Sequence, residues 1–260
     1  ISKGGEWGGP TTRGIHSGNA AWVDSPVWRL LWALTSMKTP NGKIAVKDFY
    51  ENVSPPNPEE EELLKKLEKT FDEETIREEL DVLRFSEGLH GIELLKRYLY
   101  SPTINIDGII AGYVGPGTKT VLPHMAKAKV DIRLVPHMKT DEILEKFRNH
   151  LKKHGFADIE VDVHDCYPWS HVSVREEVVQ AMLRTYRRHG FEPEIWPRIG
   201  GSAPFYLFNQ PPLSLPYVMG GLGHGSRAHS PNEYITVEGI RDNEKSIATF
   251  LHEYAYGKAK

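Results

Sequence analysis

A chain of 260 residues is long enough to bury one large core or two small ones. Hydrophobic residues make up 39% and charged residues 26%, ordinary values for a soluble globular protein, and a formal net charge of -3 gives no reason to expect a polyanion. No basic patch with interleaved aromatics points to nucleic acid, and no apolar stretch approaches the roughly 20 residues that a bilayer helix needs. Cys166 is the single cysteine, so no intrachain disulfide can form and a reducing cytoplasm is the expected location.

In chain order, residues 1–12 are glycine-rich and read as a linker or the remnant of an upstream segment. After His16-Ser17-Gly18, a helix is expected with Ser25 as its cap, Pro26 in its first turn, and Val27, Leu30, Leu31, Leu34 and Met37 as its apolar stripe. Pro55-Pro56-Asn57-Pro58 reads as a rigid connector. A charged helix follows over 59–69, in which Glu61 with Lys65 and Glu62 with Lys66 stand at i,i+4 spacing. Two further helices are expected over 72–84 and 91–100, and these charge runs read as solvated faces.

From Thr103 the period changes to that of strands, with Ile104, Ile106 and Ile109-Ile110 before the turn Gly115-Pro116-Gly117. Ala128, Val130, Ile132 and Leu134 alternate with Lys127, Lys129, Asp131 and Arg133, the pattern of a half-buried antiparallel strand. A helix from Thr140 and a strand through Ile159, Val161 and Val163 complete a ferredoxin-like split βαβ unit that lacks its first strand. Beyond Trp169, Ser173 to Glu176 is spelled as a capping box, and a final helix is expected over 237–256. The expected division is therefore 13–166 and 167–260, the second part resembling half of an α/β layer domain.

Isolated residues carry little chemistry here. His229 sits on a glycine-rich approach to the last helix, which suits either a metal ligand or an imidazole bonded to backbone. His16 stands in a bare His-Ser-Gly, and Arg133 stands on the polar face of a strand. Gly200-Gly201-Ser202 can present a hydroxyl and backbone N–H groups to an anion but is no nucleophile elbow. Cys166, in His-Asp-Cys-Tyr-Pro, lies outside any protease signature.

Taken in order, four motifs are more specific. They are Gly117-Thr-Lys-Thr-Val-Leu-Pro123, Asp131-Ile-Arg-Leu-Val-Pro136, Gly200-Gly-Ser-Ala-Pro204 and Ala228-His-Ser-Pro-Asn-Glu233. With His16 they resemble the carnosinase and acetylornithine deacetylase family of metallopeptidases, in its carnosinase-like dipeptidase branch. The resemblance implies an α/β protein: a ferredoxin-like lid or dimerisation domain plus the C-terminal part of a two-metal α/β catalytic domain. It implies two divalent metal ions, zinc first, with manganese or cobalt as alternatives, and His229 as a ligand to one of them. His16 is implied as the lid histidine that polarises the scissile carbonyl in the partner subunit's site, and Thr120 as a lid threonine reaching the same substrate. Arg133 is implied to hold the substrate carboxylate, with Gly200, Gly201 and Ser202 binding substrate further along. The family's other metal ligands and its general-base glutamate precede the lid, so the chain is expected to be the substrate-gripping portion of a homodimeric peptidase, inactive by itself. An N-acyl amino acid deacylase shares every motif, and a non-catalytic dimerisation fragment is the remaining alternative.

Overall fold

The computed structural model describes residues 1–201, 203–228 and 231–257. In chain order its elements are β1 (Ser2–Lys3), β2 (Ile15–His16), α1 (Pro26–Ser36), α2 (Pro58–Leu67), α3 (Glu73–Glu79), α4 (Gly91–Tyr100), β3 (Thr103–Ala111), β4 (Val121–Leu122) and β5 (Met125–Arg133). There follow α5 (Thr140–Lys153), α6 (Glu177–Arg188), α7 (Tyr206–Asn209), β6 (Gly225–Ser226), β7 (Tyr234–Ile235) and α8 (Val237–Tyr256). No helix among the described residues is long and apolar enough to cross a membrane.

The chain forms two compact units, one of residues 1–54 with 101–169 and the other of 55–100 with 170–260. This differs from the expected 13–166 and 167–260 in one large respect: 55–100 groups with the later residues. The physical reason lies in α2 and α4, whose buried Leu64, Leu67, Leu95 and Leu99 form one apolar cluster with Tyr100, against which Trp196 packs.

In the first unit β5 is central, pairing antiparallel with β3 on one side and with β1 on the other. Residues 1–12 are therefore more than a linker. Ser2 pairs with Ala126 and is fully buried, so these residues supply the first strand that the sequence pattern lacked. Two residues are too short to show period-2 alternation, which explains why the strand leaves no signal. The strand expected through Ile159, Val161 and Val163 does not form; in its place Ile1 and Glu160 exchange N–H···O bonds of 2.6 and 2.9 Å. Ile159 and Val161 still pack on the core, whereas Val163 is exposed. Placing residue 160 beside β1 gives the split βαβ order, and α1 and α5 supply the two helices.

Local chemistry explains most boundaries. Pro26 opens α1 as expected, although the Ser25 side chain makes no capping bond. Asn57 and Glu60 make a reciprocal capping box at α2. Ser173 does not cap α6: its hydroxyl accepts from Arg175 N–H in a local turn, and the helix begins one turn later at Glu177. Glu61 pairs at 3.1 Å with Lys96 of α4, tying the two helices together instead of bonding along its own helix.

α5 buries His150 beside Ser36 of α1. The Ser36 hydroxyl donates to the Ala33 carbonyl at 2.7 Å and so receives the His150 Nε2 proton at 3.0 Å. Burial, reinforced by the adjacent His154 ring and by Lys153, holds the His150 pKa below the ordinary 6.5, against a smaller opposing effect of Ser36. The folded state therefore binds this proton less readily than the unfolded chain. The resulting stability is complete above pH 6.5 and is lost as pH falls through the lower folded value. Wild type should lose melting temperature between about pH 7.5 and about pH 5.5 by more than His150→Gln does. Equal losses in a thermal melt would refute this.

Candidate functional site

His16 is set by a short ladder. β2 pairs with β4 so that Ile15 faces Leu122 and His16 faces Val121, while Ser17 N–H donates to the Thr120 carbonyl. The Gly18 N–H donates to His16 Nδ1 at 3.0 Å. With its Nδ1 lone pair engaged, the neutral ring carries its proton on Nε2. That Nε2 lies 3.4 Å from Thr120 Oγ1, and both side chains are exposed. The geometry thus presents an N–H donor and a hydroxyl side by side, ready for an oxygen on a ligand.

Arg133 ends β5, where it faces Thr103 across the ladder and its Nε donates to Asp131 Oδ2 at 2.8 Å. The Asp131 contact fixes the Nε edge of the guanidinium. Met125, near β4, is the opposite end of the nine-residue β5. At about 3.3 Å per residue, roughly 26 Å of strand separates the two ends. His16 and Thr120 are therefore brought together, and Arg133 is placed far from both within the first unit.

In the second unit Gly200 and Gly201 are exposed. A Cβ on Gly200 would come within 2.5 Å of the exposed Tyr98 ring, so a larger residue here would have to displace that ring. Ser202 and His229, also expected site residues, lie outside the described residues. The strands on either side of residue 229 in sequence are β6 and β7, which pair Gly225 with Ile235 and Ser226 with Tyr234. Among the described residues no group of three or more His, Cys, Asp or Glu side chains could hold a metal ion.

One cluster escaped sequence reasoning. Glu60, in an acidic run that reads as solvated, is buried and accepts from Arg198 Nε at 2.8 Å and Nη2 at 3.2 Å. The Arg198 guanidinium lies 4.0 Å over the Tyr100 ring, and His171 Nε2 is 3.6 Å from the same carboxylate. Burial first, and the Glu60 carboxylate second, hold the Tyr100 hydroxyl well above its usual pKa. The Asn57-x-x-Glu60 capping spelling was readable, but the partner 138 residues away was not.

Two surfaces of the first unit are apolar and open. β3 is an outer edge of its sheet, with Ile106, Ile109 and Ile110 exposed, and α1 presents Trp28 and Trp32, stacked at 6.2 Å. An unpaired strand edge beside exposed apolar side chains is a template for pairing with another chain.

Fold and site geometry together describe an α/β protein in which a split βαβ sheet has His16 and Thr120 near one end of β5 and Arg133 at the other. Residues 11–158 match the family model described as "Peptidase dimerisation domain", and the chain belongs to this M20 peptidase family. It is 27% identical over 254 residues to the Cys-Gly metallodipeptidase DUG1 of Saccharomyces cerevisiae, covering 93% of this chain and 51% of that protein. It is 28% identical over 250 residues to the human Beta-Ala-His dipeptidase, covering 93% and 48%. Among solved structures, the M20 family metallo-carboxypeptidase Sso-CP2 from Sulfolobus solfataricus is similar, with a TM-score of 0.85, 31% identity, and coverage of 97% of this chain and 56% of that one. The chain thus spans about half the length of the curated relatives it matches.

Proposed function

We propose that the full-length protein containing this chain is a homodimeric, cytoplasmic metal-dependent peptidase that hydrolyses dipeptides or short peptides bearing a free carboxylate. The observation that carries the reading is the separation of His16 and Thr120 from Arg133 along β5. A dipeptide is only about 7 Å long when extended, so these groups cannot meet on one substrate within one first unit. They can do so if His16 and Thr120 come from one copy and Arg133 from another, and the exposed β3 edge and the tryptophans of α1 suit such pairing.

In this reading Arg133 grips the substrate carboxylate through two parallel N–H bonds, a geometry its planar fork favours over lysine. His16 Nε2–H donates to the scissile carbonyl oxygen, where negative charge builds as the carbonyl is attacked. Thr120 adds a hydroxyl to the same oxygen region, and Gly200, Gly201 and Ser202 bind the substrate backbone. The family brings divalent metal ions, for which zinc is proposed, with manganese or cobalt as alternatives and His229 as one ligand. The described residues do not form a metal site by themselves.

Assaying the full-length protein on dipeptides, their C-terminal amides and N-acetyl amino acids tests the assignment. Hydrolysis of free dipeptides with weak action on the amides is expected. Faster hydrolysis of N-acetyl amino acids would replace the peptidase reading with that of a deacylase.

A further inference from the structure

The chain from Trp196 to Gly200 turns every second residue toward α2 and α4. Trp196 packs on the leucine cluster and meets Phe71 and Tyr98 edge-on at 6.1 and 6.4 Å. Arg198 enters the pair with Glu60, its side chain only 8% exposed and that of Glu60 only 5%. Gly200 also lies beside the Tyr98 ring, although like Ile199 and Gly201 it is exposed. Glu60 is itself held in place, because its carboxylate also accepts the Asn57 N–H at 2.9 Å as the N-terminal cap of α2.

A buried ion pair is a weak source of net stability, since desolvation of both charges offsets their attraction. Arg198 also leaves Nη1 buried without a hydrogen-bond partner, and Tyr100 leaves its hydroxyl in the same condition. What the pair does supply is geometry: a planar fork, bound at Nε and Nη2 and stacked on a ring, has one orientation. The residue so fixed stands two positions before Gly200. We propose that Glu60 and Arg198 are positioning residues, a clamp that holds the Gly200–Gly201 loop in the conformation that accepts substrate. The inference rests on the reading of that loop as substrate-binding.

The test uses the full-length protein and the variants Glu60→Gln and Arg198→Lys. Glutamine retains an acceptor for the Asn57 N–H, so α2 stays capped, but it loses the charge that holds Arg198. Lysine keeps the charge but loses the fork and the stacking. Either variant should lower kcat/KM on a dipeptide by on the order of 100-fold, with a raised KM, because a loosened loop must be ordered on binding. Hydrogen exchange should quicken at the amides of 199–201 while those of α8 stay at wild-type rates. Wild-type kcat/KM in both variants would overturn the proposal, as would exchange that quickens throughout the second unit with a matching fall in melting temperature. If the wild-type protein cleaves no dipeptide, the functional reading fails, and the exchange measurement still decides the clamp: local release supports it and unchanged amides at 199–201 overturn it.

Discussion

If the proposed function holds, His16→Ala in the full-length protein is expected to lower kcat by about 10²- to 10³-fold, the range seen when one preorganised donor to a developing oxyanion is removed. The expectation follows from the tautomer. Because the Gly18 N–H occupies Nδ1, the proton of the neutral ring sits on Nε2, beside Thr120 and open to solvent. A ring that donated from Nδ1 would instead turn its proton toward its own backbone. The loss should fall on kcat with little change in KM, since the bond strengthens only as charge builds on the oxygen. Metal content measured on the same preparation should match wild type, because His16 binds no metal in this reading. A variant that loses metal, or whose deficit lies wholly in KM, would remove His16 from this role. The side chain is exposed and the β2–β4 ladder is made of backbone, so the substitution removes one local structural bond, that from Gly18 N–H, and the variant should still fold.

The same residues show where sequence was sufficient. The apolar face of β5 is as expected, with Val130, Ile132 and, just past the strand, Leu134 packed on one core and Ala128 on the smaller cluster around Leu30 and Leu34, although Asp131 and Arg133 are half-buried too. α8 runs over Val237–Tyr256 as expected, and the four ordered motifs led to the family that the comparison shows. Local signals of this kind are written within a few residues. Signals that failed were either too short or too distant. β1 is two residues held by pairing with Ser2 against Ala126, and no local pattern predicts a partner more than a hundred residues away. Glu60 reads as one of four consecutive acids, and only the fold reveals Arg198 beside it. The grouping of 55–100 with the later residues has the same origin, since Leu64 and Leu99 look like any helix stripe until Trp196 joins them.

Mixing two inactive variants should restore activity. His16→Ala and Arg133→Ala homodimers, unfolded and refolded together or coexpressed, are each expected to be nearly inactive, for different reasons. Truncating a guanidinium that pairs with a desolvated carboxylate costs about 2–5 kcal/mol, or roughly 30- to 4,000-fold in kcat/KM. In a mixed dimer, the copy bearing His16→Ala retains Arg133 and receives an intact His16 from its partner, so one of its two composite sites has every group. The other site lacks both. Random pairing makes half of the dimers mixed, each with one working site, which predicts roughly a quarter of wild-type activity in the mixture. If His16 and Arg133 served the same site from one chain, no combination of the two variants could work and the mixture would stay inactive. The roughly 26 Å of strand between their ends of β5 argues for the first outcome. The restored activity should carry a wild-type KM, since the surviving site keeps its own Arg133. A mixture that stays inactive, or whose residual activity keeps the raised KM of Arg133→Ala, would place the His16 and Arg133 of one site on the same copy.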